Sequence, residues 1–243
     1  MKPAKRSWIP EEDVDRLIEA LHGFHEKVGE ALGRLGDLDG WFPAPYDPTE
    51  LITCFPRLRL RHGIRLAAYQ FVSHGNGNAV VYAVPAGREP DSRECAGSKG
   101  PVVGPRELGD RRLWLHLEGD GSLASYFESS IFQREAAEVG AMWHGCDWST
   151  HTIIRRHPYK SADLSKAAGG RSLSTSLEWL KEPPFDWRPV VYSSEDGSVL
   201  VDFYTYSRFG REGIFLHHDS YSEGFSMVSV VQTIGEGDGG YIL

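Results

Sequence analysis

The amino-acid sequence predicts an α+β protein, with a mainly antiparallel β-sheet, a long N-terminal helix and one or two further helices packed on one face. Three observations predict this class: an apolar stripe with helical spacing near the start, a glycine- and asparagine-rich hairpin, and a series of short strands in the last third. The 243 residues carry a net charge of −8, and 40 % of them are hydrophobic, which is typical of an ordinary globular protein. We therefore expect a single α+β domain over residues 1–243.

The first predicted element is an amphipathic helix over about residues 11–36. Pro10 suits the first helical position, and the acidic residues 11–13 suit the positive end of the helix dipole. Gly36 is typical of a helix end. Apolar residues recur at intervals of three and four, which places them on one face: Val14, Leu17, Ile18, Leu21, Phe24, Val28, Leu32 and Leu35.

The middle of the chain predicts a short helix, a hairpin and a loop. Residues 47–50, Asp-Pro-Thr-Glu, form a capping box that indicates a helix start. A β-hairpin with strands 64–72 and 79–84 follows, because the glycines and asparagines of 73–78 supply the positive φ angles of a tight reversal. Residues 85–110 contain many Gly, Pro and charged residues, which predicts a long surface loop.

The second half predicts two helices and more strands. Apolar and polar residues alternate over Arg112–Leu117, which predicts a strand, and the next helix has Ser122 as its N-cap. A short helix is predicted over Ser172–Leu180, ending before Pro183. Consecutive short strands separated by short turns predict a C-terminal β-meander over about residues 189–234.

Composition and charge restrict the compartment and the partners. A net charge of −8 argues against a nucleic-acid partner, which requires a basic surface. The longest apolar run, 79–84, is too short to cross a bilayer, and the acidic residues 11–13 stand where a signal peptide needs apolar ones. The three cysteines, Cys54, Cys95 and Cys146, are odd in number and widely spaced, so they predict no disulfide framework. We expect a cytoplasmic protein that does not bind membranes.

One short tryptophan-rich segment contains a candidate zinc site. His144, Cys146 and His151 offer imidazole and thiolate ligands, and three protein ligands plus water are typical of catalytic zinc. Alternatively, Cys146 is a nucleophile with one of these histidines as its base and with Asp147 or Asp219 orienting the imidazole. A third interpretation is structural, because free cysteine is among the residues most often buried.

A second candidate cluster, His217-His218-Asp219, is predicted at the end of a strand. The two-residue period of a strand places His217 and Asp219 on one face and His218 on the other. We take His217 and Asp219 as candidate catalytic residues, although a solvated strand end explains the same residues. On the preceding strand, Asp202 shares a face with Tyr204 and Tyr206, and such a face suits a peptide or a small polar ligand.

The sequence leaves two functions open. The first is a non-catalytic domain that binds an unknown protein or small-molecule ligand through the open sheet face and the 85–110 loop. The absence of the G-x-S-x-G, P-loop and dinucleotide-binding motifs favours it. The alternative is a metal-assisted, hydrolase-like enzyme, in which the His/Cys/His cluster holds zinc while His217 and Asp219 act as orienting or acid–base groups.

Overall fold

The described residues fold into β-sheets with two α-helices and several short 3₁₀ helices, which confirms the predicted α+β class. Two compact units are formed, and we call Met1–Asp15 with Ser149–Leu243 the terminal unit and Arg16–Trp148 the central unit. The assignment of the whole chain to one domain stays a prediction. A computed structural model describes residues 5–34, 39–88, 110–157 and 177–241.

The predicted N-terminal helix is confirmed as α1, Glu11–Gly33. Most of its apolar stripe is buried, and three acidic residues occupy its first turn. The predicted stop at Gly36 falls outside the described residues. Nowhere in the described chain is a helix both long and apolar enough to span a membrane.

The central unit contains a three-stranded antiparallel sheet, a separate strand pair and helix α2. The three-stranded sheet has the order β2–β4–β5, and β3 pairs with β6. The bounds are β2 Gly40–Pro43, β3 Leu58–Leu60, β4 Ile64–Ser73, β5 Asn76–Pro85, β6 Leu117–Gly119 and α2 Ala124–Glu138.

The predicted hairpin is confirmed, with longer strands and a tighter turn than expected. Only His74 and Gly75 lie between β4 and β5, and both have positive φ angles, 51° and 80°. Such angles are required at both central residues of a two-residue type I′ turn. The capping box is confirmed in part: the Asp47 side chain accepts a hydrogen bond from the Thr49 amide, but the helix that follows, Pro48–Cys54, is a 3₁₀ helix.

Three local predictions are wrong. The predicted strand Arg112–Leu117 is a 3₁₀ helix over Leu113–His116 that leads into β6. Ser122 is not the N-cap of α2, because Leu123 precedes the helix and makes no side-chain cap. The described part of the predicted helix Ser172–Leu180 contains a strand, β8, Leu177–Trp179. Residues 172–176 lie outside the described residues, as do residues 89–109 of the predicted loop.

The terminal unit contains a seven-stranded antiparallel sheet that includes the predicted meander. The strand order is β1–β9–β10–β11–β12–β8, and β7 pairs with one end of β10. On one face, a core cluster is centred on Trp187, Tyr206 and Ile214. The bounds are β1 Lys5–Trp8, β7 Thr152–Ile154, β9 Val190–Ser193, β10 Val199–Ser207, β11 Gly213–Glu223 and β12 Ser226–Gly237.

Candidate functional site

The pairing of β10 with β11 fixes the positions of the predicted histidine–aspartate cluster. His217 lies opposite Phe203 and Asp219 lies opposite Val201, so these two side chains share one face, as predicted, and His218 is on the other. The predicted position at a strand end is wrong, because β11 continues to Glu223 and pairs with strands on both sides. His217 and Asp219 are both buried, so the alternative explanation, a solvated strand end, is wrong as well.

The same face brings together two histidines that the sequence placed in separate candidate sites. The Thr205 hydroxyl lies 2.7 Å from His151 Nδ1 and 2.8 Å from His217 Nε2. Because a hydroxyl donates one hydrogen bond and accepts others, Thr205 bridges the two rings. Phe203 stacks on the His217 ring at a centroid distance of 4.6 Å and an interplanar angle of 7°. His151 and His217 are therefore parts of one hydrogen-bonded chain.

This chain connects a half-buried imidazole to a buried one. His151 is partly exposed, whereas Thr205 and His217 are buried. A proton can be shared along such a chain, but the Thr205 hydroxyl is screened from any substrate in solution. The chain therefore stabilises this face of the sheet, and the catalytic roles of His217 and Asp219 stay predictions.

Replacing Thr205 by valine is expected to lower the free energy of unfolding by about 2 kcal/mol, because both imidazole nitrogens lose their shared partner. Urea unfolding followed by tryptophan fluorescence measures the change. The matched control is Thr233→Val, a partly exposed threonine on β12, which should change stability by less than about 0.5 kcal/mol. Equal unfolding midpoints for Thr205→Val and the unsubstituted protein would show that the bridge contributes nothing.

The predicted zinc ligands are divided between the two units. Cys146 belongs to the central unit and His151 to the terminal unit, and the side chain of His144 is outside the described part. No group of three or more His, Cys, Asp or Glu side chains among the described residues is arranged to hold a metal ion. Zinc bound by His144, Cys146 and His151 thus stays a prediction, which elemental analysis of untagged protein measures.

Cys54, the other described cysteine, has the environment of a structural thiol. It is buried, and its thiol donates a hydrogen bond to the Ala20 carbonyl at 3.5 Å. Burial raises the pKa of the Cys54 thiol to about 11. A neutral thiol is neither a good nucleophile nor a good metal ligand at neutral pH.

The opposite face of the terminal sheet carries an aspartate–histidine pair that is partly open to solvent. His218 Nδ1 lies 2.5 Å from Asp202 Oδ1, and 45 % of the His218 side chain is exposed. Burial raises the pKa of the Asp202 carboxyl, although His218 acts in the opposite direction. Tyr204 is on the same face, and burial raises its pKa to about 12. Asp202 and Tyr204 belong to the Tyr/Asp face that the sequence predicts as a ligand surface, but Tyr206, the third residue of that prediction, is buried in the core cluster.

Next to this pair, β12 presents an apolar segment to solvent. Val228, Val230 and Val231 are 67 %, 59 % and 53 % exposed. Residues 226–233, which we call the open segment, contain no charged side chain and no proline. One edge of β12 pairs with β11, and on the other edge the only described strand is β8, whose register covers Gly235–Gly237. The open segment therefore has an edge without a partner strand in the described chain.

The sequence does not by itself predict that the open segment is exposed. The meander prediction included a strand at these positions, but an apolar strand is ordinarily read as part of the core. One signal was available: Val230 and Val231 are adjacent, so they lie on opposite faces of the strand. Apolar residues on both faces indicate a strand that is covered on both sides, either by its own chain or by a partner.

No protein-family model, curated protein or solved structure matches this chain.

Proposed function

We propose that the protein is a binding domain that recruits a partner protein by strand addition on the open segment of β12. The observation that carries the proposal is the exposure of three valines on a strand edge without a partner strand among the described residues. The net charge of −8 favours a protein over a nucleic acid as the partner. A cytoplasmic location is part of the same proposal.

The backbone of the open segment supplies the first component of binding. In an antiparallel ladder, alternate residues direct their N–H and C=O groups away from the neighbouring strand. Natural edge strands are usually protected by lysine, proline or a bulge, because these free groups pair with other chains. The open segment has neither lysine nor proline, so its edge is suited to an added strand.

The side chains supply the second component. Full burial of a valine contributes about 1.5–3 kcal/mol, so an added strand that covers Val228 and Val230 gains apolar burial on one face. His218 on β11 lies opposite Val230, and Asp202 on β10 lies opposite His218. This pair offers a polar contact beside the valine. Recognition of a peptide by strand addition uses the same two elements, backbone pairing and pockets for alternate side chains.

The charges around the open segment indicate the chemistry of the partner. Glu223 is paired with Ser226 at one end, and Glu178 of β8 lies near the other end. Neither carboxylate forms an ion pair with any described residue. Lys181 is the basic residue nearest to Glu178 in the sequence. We therefore expect an extended partner segment with alternate apolar residues and basic residues at its ends.

The test is a binding titration with a fluorescent synthetic peptide of alternating valine and threonine, with lysines at both ends. Val230→Lys is expected to weaken binding at least about tenfold, because the added charge opposes both apolar burial and the lysines of the peptide. Val230→Thr keeps the strand propensity and should retain most of the affinity. Phe185→Lys places the same charge at another fully exposed apolar position of the terminal unit and is the matched control.

Two results would contradict the proposal. If a peptide with N-methylated backbone amides binds equally well, no ladder is formed and strand addition is wrong. If the protein forms a dimer in sedimentation experiments that Val230→Lys disrupts, the occupant of the edge is a second copy of this chain. A third result would also contradict it: loss of binding with the control Phe185→Lys would show that any added positive charge weakens binding.

A further inference from the structure

The central unit contains a cleft between β5, α2 and the 3₁₀ helix Leu113–His116, and its volume is about 370 Å³. Cavities of about 300–1,000 Å³ are typical of small-molecule sites. None of the described residues that line the cleft is acidic.

The cleft exists because its apolar wall is built from small side chains. Val80 and Tyr82 of β5 point into the core cluster on one face of the hairpin, so Ala79 and Val81 face the other way. Helix α2 contributes Ala136 and Ala137 to the lining. Methyl-sized groups on facing elements leave space for an apolar ligand.

A guanidinium group lies at this cleft without a partner in the described part of the chain. Arg111 is exposed, and it forms no hydrogen bond or ion pair with the residues that the structure describes. The nearest aspartate in the sequence, Asp110, is bound by Arg112 through both of its oxygens, at 3.1 and 3.2 Å. Arg111 is therefore available to a ligand, and guanidinium groups bind carboxylates in a bidentate geometry.

Asn78 adds no side-chain acceptor to this wall. It lies opposite Phe71 in the pairing of β4 with β5, so its side chain shares the face of Val80 and Tyr82. The lining thus combines an apolar wall with one cation.

We propose that this cleft binds small monocarboxylates that have an aromatic or branched apolar body. The carboxylate pairs with Arg111, and the body packs on Ala79, Val81, Leu113 and Ala136. This site is in the central unit and does not depend on the strand addition proposed for the terminal unit.

Calorimetric titration of the whole protein with indolepropionate tests the proposal. Arg111→Gln is expected to weaken binding at least about tenfold, because the carboxylate loses its charge partner. Arg61→Gln removes the same charge from an exposed position outside the cleft and should leave the affinity within about twofold. Ala137→Leu, at an exposed helix position of the lining, fills the cleft and is expected to weaken binding by a similar factor without loss of helix propensity.

One ligand variant completes the test. Indolepropionamide lacks the charge, so it should bind more weakly than indolepropionate. Absence of indolepropionate binding, equal binding of the amide, or equal losses with Arg61→Gln and Arg111→Gln would each overturn the proposal. None of these results affects the peptide titration on β12, so the two proposals fail separately.

Discussion

Replacing Glu135 by alanine is expected to lower the free energy of unfolding by about 3 kcal/mol, at the low end of the cost of breaking a buried charged pair. Glu135 is a buried carboxylate on α2. Its Oε1 accepts a hydrogen bond from Trp148 Nε1 at 2.8 Å, and its Oε2 lies 2.8 Å from His25 Nε2. Trp148 is buried, so its indole N–H would remain without that acceptor. His25 is half-exposed and can be solvated, which keeps the loss from being larger.

Urea unfolding of the variant and of a matched control measures this contribution. Glu50→Ala removes an exposed carboxylate that pairs with Lys27 of α1 at 2.8 Å. An exposed ion pair contributes about 0–1 kcal/mol, so the control should unfold near the unsubstituted protein. Similar midpoints for Glu135→Ala and Glu50→Ala would show that the buried carboxylate is not a major contributor.

The effect of Glu135 should also depend on pH. The hydrogen bond to Glu135 raises the pKa of His25 above its ordinary value of 6.5, although desolvation acts in the opposite direction. A raised histidine pKa stabilises the fold fully below the pKa of the unfolded chain, and this contribution is lost as the pH rises through the folded value. The stability difference between the unsubstituted protein and Glu135→Ala is therefore expected to shrink as the pH rises from 6.5 through the raised pKa of His25.

The buried carboxylates of helix α2 could not be predicted from the sequence. Glutamates are rarely buried, yet Glu128 and Glu135 of α2 are. Glu128 accepts hydrogen bonds from the backbone amide and the guanidinium of Arg57, at 2.8 and 3.1 Å. A buried carboxylate is tolerated only where such donors meet it, and its donors come from distant parts of the chain.

Most predictions that rest on local periodicity agree with the structure. Most of the apolar stripe of α1 is buried because residues three and four apart share a helix face. The hairpin β4–β5 reverses at His74-Gly75, where glycine allows the positive φ angle that the turn requires. The C-terminal meander follows the predicted succession of strands and turns.

Local periodicity fails over Arg112–Leu117, where the alternating leucines predict a strand, but Leu115 is 40 % exposed while Leu113 and Leu117 are buried. Predictions that depend on distant partners are also wrong or incomplete. The sequence predicts a helix over the residues of β8, because the segment that pairs with β8, Gly235–Gly237, is remote in the sequence. The chain His151–Thr205–His217 likewise joins three separate segments, and no single segment carries a signal for it.

Replacing Gly140 by alanine is expected to destabilise the fold by about 3 kcal/mol, through backbone strain and the loss of a buried hydrogen-bond network. Gly140 has a φ of 73°, which alanine adopts only at a cost of about 1–2 kcal/mol. A Cβ at this position would also overlap the side-chain oxygens of Gln70 and Tyr46. The buried Gln70 amide donates to the carbonyls of Gly140, at 2.9 Å, and Phe71, at 3.1 Å.

Gly121→Ala separates the cost of backbone strain from the cost of losing the hydrogen-bond network. Gly121 has a φ of 85°, but no heavy atom lies within 4 Å of the place that a Cβ would take, so its substitution introduces strain without a clash. We expect a loss of about 1 kcal/mol for Gly121→Ala, and the additional loss for Gly140→Ala is the contribution of the Gln70 network. Because this network fixes the chain directly after α2 to β4, Gly140→Ala should also weaken indolepropionate binding in the cleft that α2 and β5 form. Equal losses of stability in the two variants would show that the Gln70 hydrogen bonds accommodate an added methyl group with no loss of unfolding free energy.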